Sequence, residues 1–243
     1  MSVEFEPVQL EPAYRKVASA LLERITDRRL KSGDRLPSEL ELARQFGVNR
    51  STVREAMREL ESSGLLRRER GSKLMMVSRP ARGVVAEGVS RALALHDVSV
   101  RDVWEGLTIL EPPIAESACR HWQAADLAAL DAIAGQAQWS EGQAAARQAA
   151  DFFHRVGEAS HNRVLMLAHE PLLQLLAPSL RTIIDEVPAA RARIAAAQRH
   201  IFQAIRARDA ALARSWTEKH IRDFRRGFDL AGIDLRQRVA VES

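Results

Sequence analysis

The chain has 243 residues, 46% of them hydrophobic, enough for one or two domains with buried cores. Its single cysteine, Cys119, excludes an intramolecular disulfide and a cysteine-based zinc cluster, and fits a reducing cytoplasm. Residues 1–80 carry 16 Lys or Arg against 12 Asp or Glu while the remainder balances to zero, so the whole net charge of +4 sits in the first third of the chain, a modest excess that would suit a polyanionic partner there.

Residues 1–12 read as an arm, and the acidic start MSVEFEP lacks the apolar run of a signal peptide. Tyr14 to Asp27 predicts a helix with Val17, Ala20, Leu21 and Ile25 inward. Gly33-Asp34 and Pro37 then set a loop. Ser38-Glu39-Leu40-Glu41 predicts a capping box, in which the Ser38 hydroxyl accepts the N–H three residues on and Glu41 reaches back. Leu40, Leu42, Ala43 and Phe46 supply the apolar face of this short helix, and Gly47 ends it in a tight turn. Asn49 predicts the N-cap of the next helix, in which Val53, Ala56, Met57 and Leu60 face inward. That helix stops at Ser62-Ser63-Gly64. Leu65 to Glu69 and Lys73 to Val77 predict two short strands around the turn Arg70-Gly71-Ser72.

A helix-turn-helix followed by a basic hairpin is a winged helix. Its second helix opens outward with Asn49, Arg50, Ser51, Thr52 and Arg54, where a recognition helix carries base and phosphate contacts. Arg35 on the approach, and Arg70, Gly71 and Lys73 with Arg67 and Arg68 in the wing, complete the expected DNA-binding residues. A helical bundle with a basic, solvated face is the alternative from these residues alone.

From Val84 to Leu230 there is no period-two alternation, and alanine and leucine dominate. Helices are expected at about 84–96, 100–121, 125–138, 143–160, 163–186, 189–207 and 210–230, with Pro171 and Pro178 kinking the fifth. The fold class is therefore mostly α: a winged-helix domain over residues 1–80, and over 81–243 an all-helical antiparallel bundle of six to seven helices. The apolar segment VLMLAHEPLLQLLAPSL is interrupted by His169, Glu170 and two prolines, too short for a membrane span. A soluble, cytoplasmic protein is expected. Cys119 lies in an apolar helical stretch and reads as an inert core thiol.

Residues 14–77 combine G-D-x-L-P-S-E, L-A, G-V-x-R-x-T-V-R-E-A and L-x-x-x-G-L in one order, and so resemble the DNA-binding domain of the GntR family of bacterial transcription regulators. The all-helical second half, with WEGLTILEPPIAESA, FFHRVGEASHN and AIRARDAALARSWTEKH, resembles the FCD effector domain of the FadR-type branch. The resemblance implies DNA contacts from Arg50, Arg54, the polar run Asn49 to Thr52 and the wing glycine Gly71. Many relatives have arginine at the position of Leu40, so one DNA contact of the family is missing here.

Many FCD domains hold a divalent metal (zinc, nickel or manganese) through one aspartate and three histidines, and a bound small acid completes the coordination. His154 and His220 match the first and last histidines. The aspartate position is Ala150, with Asp151 one place late, and the middle histidine position is Gln198, with His200 two places on. A site of Asp151, His154, His200 and His220 requires the helices to shift register. Otherwise the metal is lost, and His154, Gln198 and His220 become polar residues of an effector pocket. Leu107 stands where many relatives carry an arginine that holds an effector carboxylate, which points to a less acidic or more apolar ligand. Arg181 is a candidate for any anionic contact, and Trp104, Trp122, Trp139 and Trp216 are candidates for pocket lining or core.

These readings predict a ligand-responsive regulator, a repressor in the usual pattern, that binds an inverted-repeat duplex as a homodimer with a small metabolite in the helical domain. No nucleophile–base pair stands out, so it is not expected to be an enzyme. The alternatives are a metal-dependent enzyme or metal sensor built on His154 and His220, and a ligand-independent architectural DNA binder.

Overall fold

A computed structural model of the protein describes residues 11–69, 74–134 and 142–240. The chain divides into two compact units, Met1–Val84 and Val85–Ser243.

In the first unit, α1 (Ala13–Thr26), α2 (Glu39–Phe46) and α3 (Arg50–Ser62) precede strands β1 (Leu66–Arg68) and β2 (Met75–Val77). Ser38 caps α2 by accepting from the Glu41 N–H at 3.2 Å. The other half of the expected capping box is not formed, because the Glu41 carboxylate takes the Gln45 amide one turn on at 3.0 Å. Gly47 ends α2 at φ +66°, a left-handed conformation that a side chain at this turn would strain. Asn49 stands at the N-cap of α3 in an extended conformation, with no hydrogen bond from its side chain to the helix.

The core of this unit contains Val17, Ala18 and Leu21 of α1, Leu42 and Ala43 of α2, and Val53, Ala56, Met57 and Leu60 of α3. The inward face of α3 is the one expected from its periodicity. Two inward assignments are corrected. Ala18 takes the core position on α1 and Ala20 is half-buried, while Leu40, in the first turn of α2, is 54% exposed. The strands pair antiparallel with Leu66 opposite Val77 and Arg68 opposite Met75. The segment before α2, expected as a loop, adds a short third edge beside β2. Arg35 bridges Met76, and the N–H of Leu36 donates to the Met75 carbonyl at 2.8 Å.

The second unit is built from α4 (Arg82–Leu95), α5 (Val100–His121), α6 (Ala124–Ala134), α7 (Gly142–Ala159), α8 (Arg163–Glu186), α9 (Ala190–Arg206) and α10 (Ala210–Leu230). Helix α5 starts at a complete capping box formed by Ser99 and Asp102. Helix α8 starts at Asn162, whose side chain accepts from Val164 and Leu165, and it runs as one helix through Pro171 and Pro178. Helix α5 packs against α7, α8, α9 and α10, which makes it the central element of this unit. Cys119 lies in its core, and burial pushes the thiol up to about 11, consistent with an inert side chain.

The helical unit buries one polar pair completely. Glu111 of α5 and His169 of α8 are both 0% exposed, with His169 Nδ1 2.9 Å from Glu111 Oε1. The backbone of α7 comes against the far side of that imidazole at Gly157, where an added Cβ would lie 2.5 Å from His169 Nε2. Gly157→Ala is therefore expected to destabilise the helical unit by about 1–3 kcal/mol through overpacking, read as a lower urea midpoint for its unfolding. An unchanged midpoint would mean that α7 and α8 separate there at no cost.

Candidate functional site

Two regions gather the residues expected to function. The first is the outward start of α3. Arg50, Ser51 and Arg54 are exposed there, Asn49 precedes them and Thr52 is half-buried. The two arginines converge on one carboxylate. Arg50 Nε donates to Glu39 Oε2 at 2.7 Å, and Arg54 donates from Nε and from NH2, the latter reaching Oε2 at 3.1 Å. These guanidinium groups, that of Arg54 foremost, hold the Glu39 carboxyl below its usual range. A polar cleft of about 260 Å³ continues from this point, with Glu39, Arg54, Arg58, Glu61 and Arg68 in its walls. Arg35 lies at the sheet edge, paired with Glu69 at 2.8 Å. The wing positions Arg70, Gly71 and Lys73 lie outside the described residues, as does Trp139.

The second region surrounds His220 of α10. Its imidazole is 3% exposed, lies 5.3 Å from the Phe153 ring with planes only 7° apart, and meets Phe224 at 4.9 Å. Among the described residues nothing hydrogen-bonds to His220 Nε2, and burial lowers this imidazole to about 4. Two cavities flank it, sharing Ile194, His220 and Phe224 as walls. The inner one, about 20 Å³, is lined by Leu107, Ala149, Ala150 and Phe153 among others. The outer one, about 30 Å³, ends at Arg193 and Asp223, which pair across α9 and α10 at 2.7 Å. Each has room for little more than a water molecule.

The other candidates are dispersed. His154 directs Nδ1 to Glu170 Oε2 at 2.6 Å and lines neither cavity. Gln198 is buried, and its amide donates to the Ala149 carbonyl at 3.0 Å. Asp151 and Arg181 are exposed. His200, also exposed, stacks on Trp216 at 4.0 Å. It lies about 200° around α9 from buried Gln198 on ordinary helix geometry. Among the described residues no three His, Cys, Asp or Glu side chains come together in a way that could hold a metal ion. Trp104 is a structural donor, its indole N–H reaching the Ile221 carbonyl at 2.9 Å. Trp122 packs against a buried cluster that includes Ile114, Cys119 and Phe152, and carries Arg208 over its ring at 4.0 Å. Sequence reasoning did not single out Glu39, Arg193 or Asp223 as partners. The i,i+4 spacing of Arg50 and Arg54 beside an acidic helix start was the signal for the first.

Comparison with known proteins decides the family. Residues 13–74 match the model of the bacterial regulatory proteins of the gntR family, and residues 102–223, half of the chain, match the FCD domain. The chain belongs to the GntR family, in its branch with an FCD domain. The Escherichia coli protein named for regulation of the L-lactate dehydrogenase operon is 30% identical over 85% of this chain and 82% of its own length. An uncharacterized HTH-type transcriptional regulator of Mycobacterium tuberculosis is 30% identical over 68% of this chain and 69% of its own. The mannosyl-D-glycerate system repressor of E. coli is 44% identical over 26% of each chain, and the histidine utilization repressor of Klebsiella aerogenes is 47% identical over 25% of each. The chain therefore spans only about a quarter of those two. Among solved structures, Streptococcus agalactiae GntR superposes with a TM-score of 0.58 at 23% identity, covering 88% of this chain and 99% of that one, which establishes likeness of fold. The chain is a bacterial transcriptional regulator with a winged helix-turn-helix. Among the described residues no helix is long and apolar enough to cross a membrane.

The state of His220 has a consequence for stability. The folded protein resists protonating it until about pH 4, whereas the unfolded chain takes up that proton near 6.5. Its contribution is therefore complete above pH 6.5 and is lost as pH falls toward 4, by on the order of 3 kcal/mol in total. Urea titrations at pH 7 and 4.5 should show a smaller loss of stability in His220→Phe than in wild type. Equal losses would mean that the ring is protonated in place.

Proposed function

We propose that this regulator binds an inverted-repeat operator as a homodimer and releases it when a small molecule enters the helical unit. The single observation that carries the DNA reading is the exposed arginine pair at the start of α3. Asn49, Ser51 and Thr52 supply flanking polar contacts, Arg35 a contact at the sheet edge, and the wing residues Arg70, Gly71 and Lys73 the groove or phosphates beside it. Two-fold symmetry of the dimer would be matched by a two-fold operator. Two of the relatives matched over the first domain are repressors by name, which supports repression as the mode.

The effector site we assign surrounds His220. A buried nitrogen with no partner among the described residues is a group for a ligand to satisfy, and both cavities meet at it. Ala150 and Leu107, the positions where many relatives place an acidic ligand and an arginine, are apolar walls of the inner cavity. That lining favours a compact, largely apolar effector hydrogen-bonded to His220 over one that chelates a metal. Gln198, already spent on the Ala149 carbonyl, would shape the site from α9, and His154 would act from its periphery. Cavities this small mean that binding must part the helices, and only a ligand that prefers the parted arrangement can shift DNA affinity.

Arg50→Ala tests the DNA half. In fluorescence anisotropy its preference for selected over scrambled duplex should fall by about 1–3 kcal/mol, the value of one bidentate arginine–guanine contact. Unchanged preference would remove Arg50 from base recognition.

A further inference from the structure

We infer that Glu39 is a positioning residue that makes the recognition arginines selective, by steering them away from phosphates and toward neutral base edges. The inference rests on the DNA reading of Arg50 and Arg54 given above.

Three observations carry it. First, one carboxylate serves both arginines. Glu39 stands at the first position of α2, its side chain 26% exposed, and holds Arg50 at 2.7 Å and Arg54 at 3.1 Å. Two guanidinium groups four residues apart on α3 would otherwise repel each other and sample many rotamers. Second, the contacts use different edges of the two groups. Arg50 gives Glu39 only its Nε–H, so its terminal Nη1/Nη2 fork takes no part in that contact. Arg54 commits Nε and NH2 together, a side-on pairing that leaves NH1. The fork that pairs bidentately with guanine O6 and N7 is therefore kept available on Arg50 and partly occupied on Arg54. Third, the carboxylate is itself partly exposed and within 2.7 and 3.1 Å of the two guanidinium groups proposed to meet DNA. An approaching phosphate is repelled by it, whereas the edge of a guanine carries no net charge and is not. The same carboxylate cancels one of the two positive charges that would drive binding to any sequence.

Glu39 thus weakens the contact that every duplex offers and preserves the one that only a guanine at the right step offers. It need not touch DNA to do so.

The experiment is selection from a randomised duplex library by full-length wild type and Glu39→Gln. Anisotropy titrations of both proteins with the wild-type motif and a scrambled duplex follow, across a range of salt concentrations. Glu39→Gln is expected to bind scrambled DNA several-fold more tightly, with a salt slope steeper by about one to two phosphate equivalents. Its ratio of selected to scrambled affinity should fall about tenfold, with the information lost at guanine positions. Equal weakening on both duplexes, with the ratio and slope unchanged, would make Glu39 a merely structural residue of α2 and overturn the inference. Loss of motif binding with unchanged affinity for scrambled DNA would mean that Glu39 reads a base itself, which also overturns it. If wild type enriches no motif, the DNA reading of Arg50 and Arg54 fails and the inference fails with it. A motif shared unchanged by both proteins sinks the inference alone.

Discussion

Burial of helix α5 on nearly all sides is the constraint from which the helical unit follows. Val103, Leu107, Glu111, Ile114 and Ala118 recur at helical spacing along one face, and Pro112, Ala115 and Cys119 bury a second, leaving a narrow outer strip at Arg101, Glu105 and Ile109. A helix enclosed in this way must satisfy its polar groups internally. Trp104 does so through the Ile221 carbonyl, and Glu111 does so at Oε1 through His169 Nδ1, while Glu111 Oε2 and His169 Nε2 have no hydrogen-bond partner among the described residues. The surrounding helices are thereby fixed in register: Gly157 has to be glycine-sized for α7 to approach the His169 ring, and α10 has to bring Ile221 to Trp104.

The same packing determines the chemistry around His220. Its ring lies between Phe153 and Phe224, so the neutral form is favoured and its outer nitrogen is left to whatever enters the adjoining cavities. Of the two histidines that match the family pattern, only His220 faces these apolar cavities, whereas His154 turns to Glu170. Leu107 and Ala150 are placed where charged groups would face His220, and Asp151, one residue on, points to solvent. A displacement of a single residue on a helix is a rotation of about 100°, which separates a ligand of the site from a surface charge.

In the DNA-binding unit, electrostatics plays the part that burial plays in the bundle. The unit carries the excess of positive charge, yet its two principal arginines are not left as free cations. A carboxylate from the preceding helix organises them, and the sheet edge at Arg35 is likewise neutralised by Glu69. Positive charge is thereby moderated at Arg50, Arg54 and Arg35, where the exposed face of this unit would otherwise carry unpaired cations.

The sequence by itself determined the local structure and the family. Helix limits followed from apolar periodicity and breakers, the inward face of α3 from its spacing, and the turn at Gly47 from the need for a left-handed residue. The motifs of residues 14–77 carried the family because short-range spacing survives without any knowledge of packing. Only the tertiary structure decided which polar groups meet. His154 with Glu170, His169 with Glu111, Arg193 with Asp223 and both Arg50 and Arg54 with Glu39 are pairs between different elements, and no spacing within one helix specifies them. The exposure of Leu40 and the added edge at Arg35 have the same origin: a side chain's surroundings depend on what packs over it, and the strand partners of Arg35 and Leu36 come from the far side of α3 in sequence.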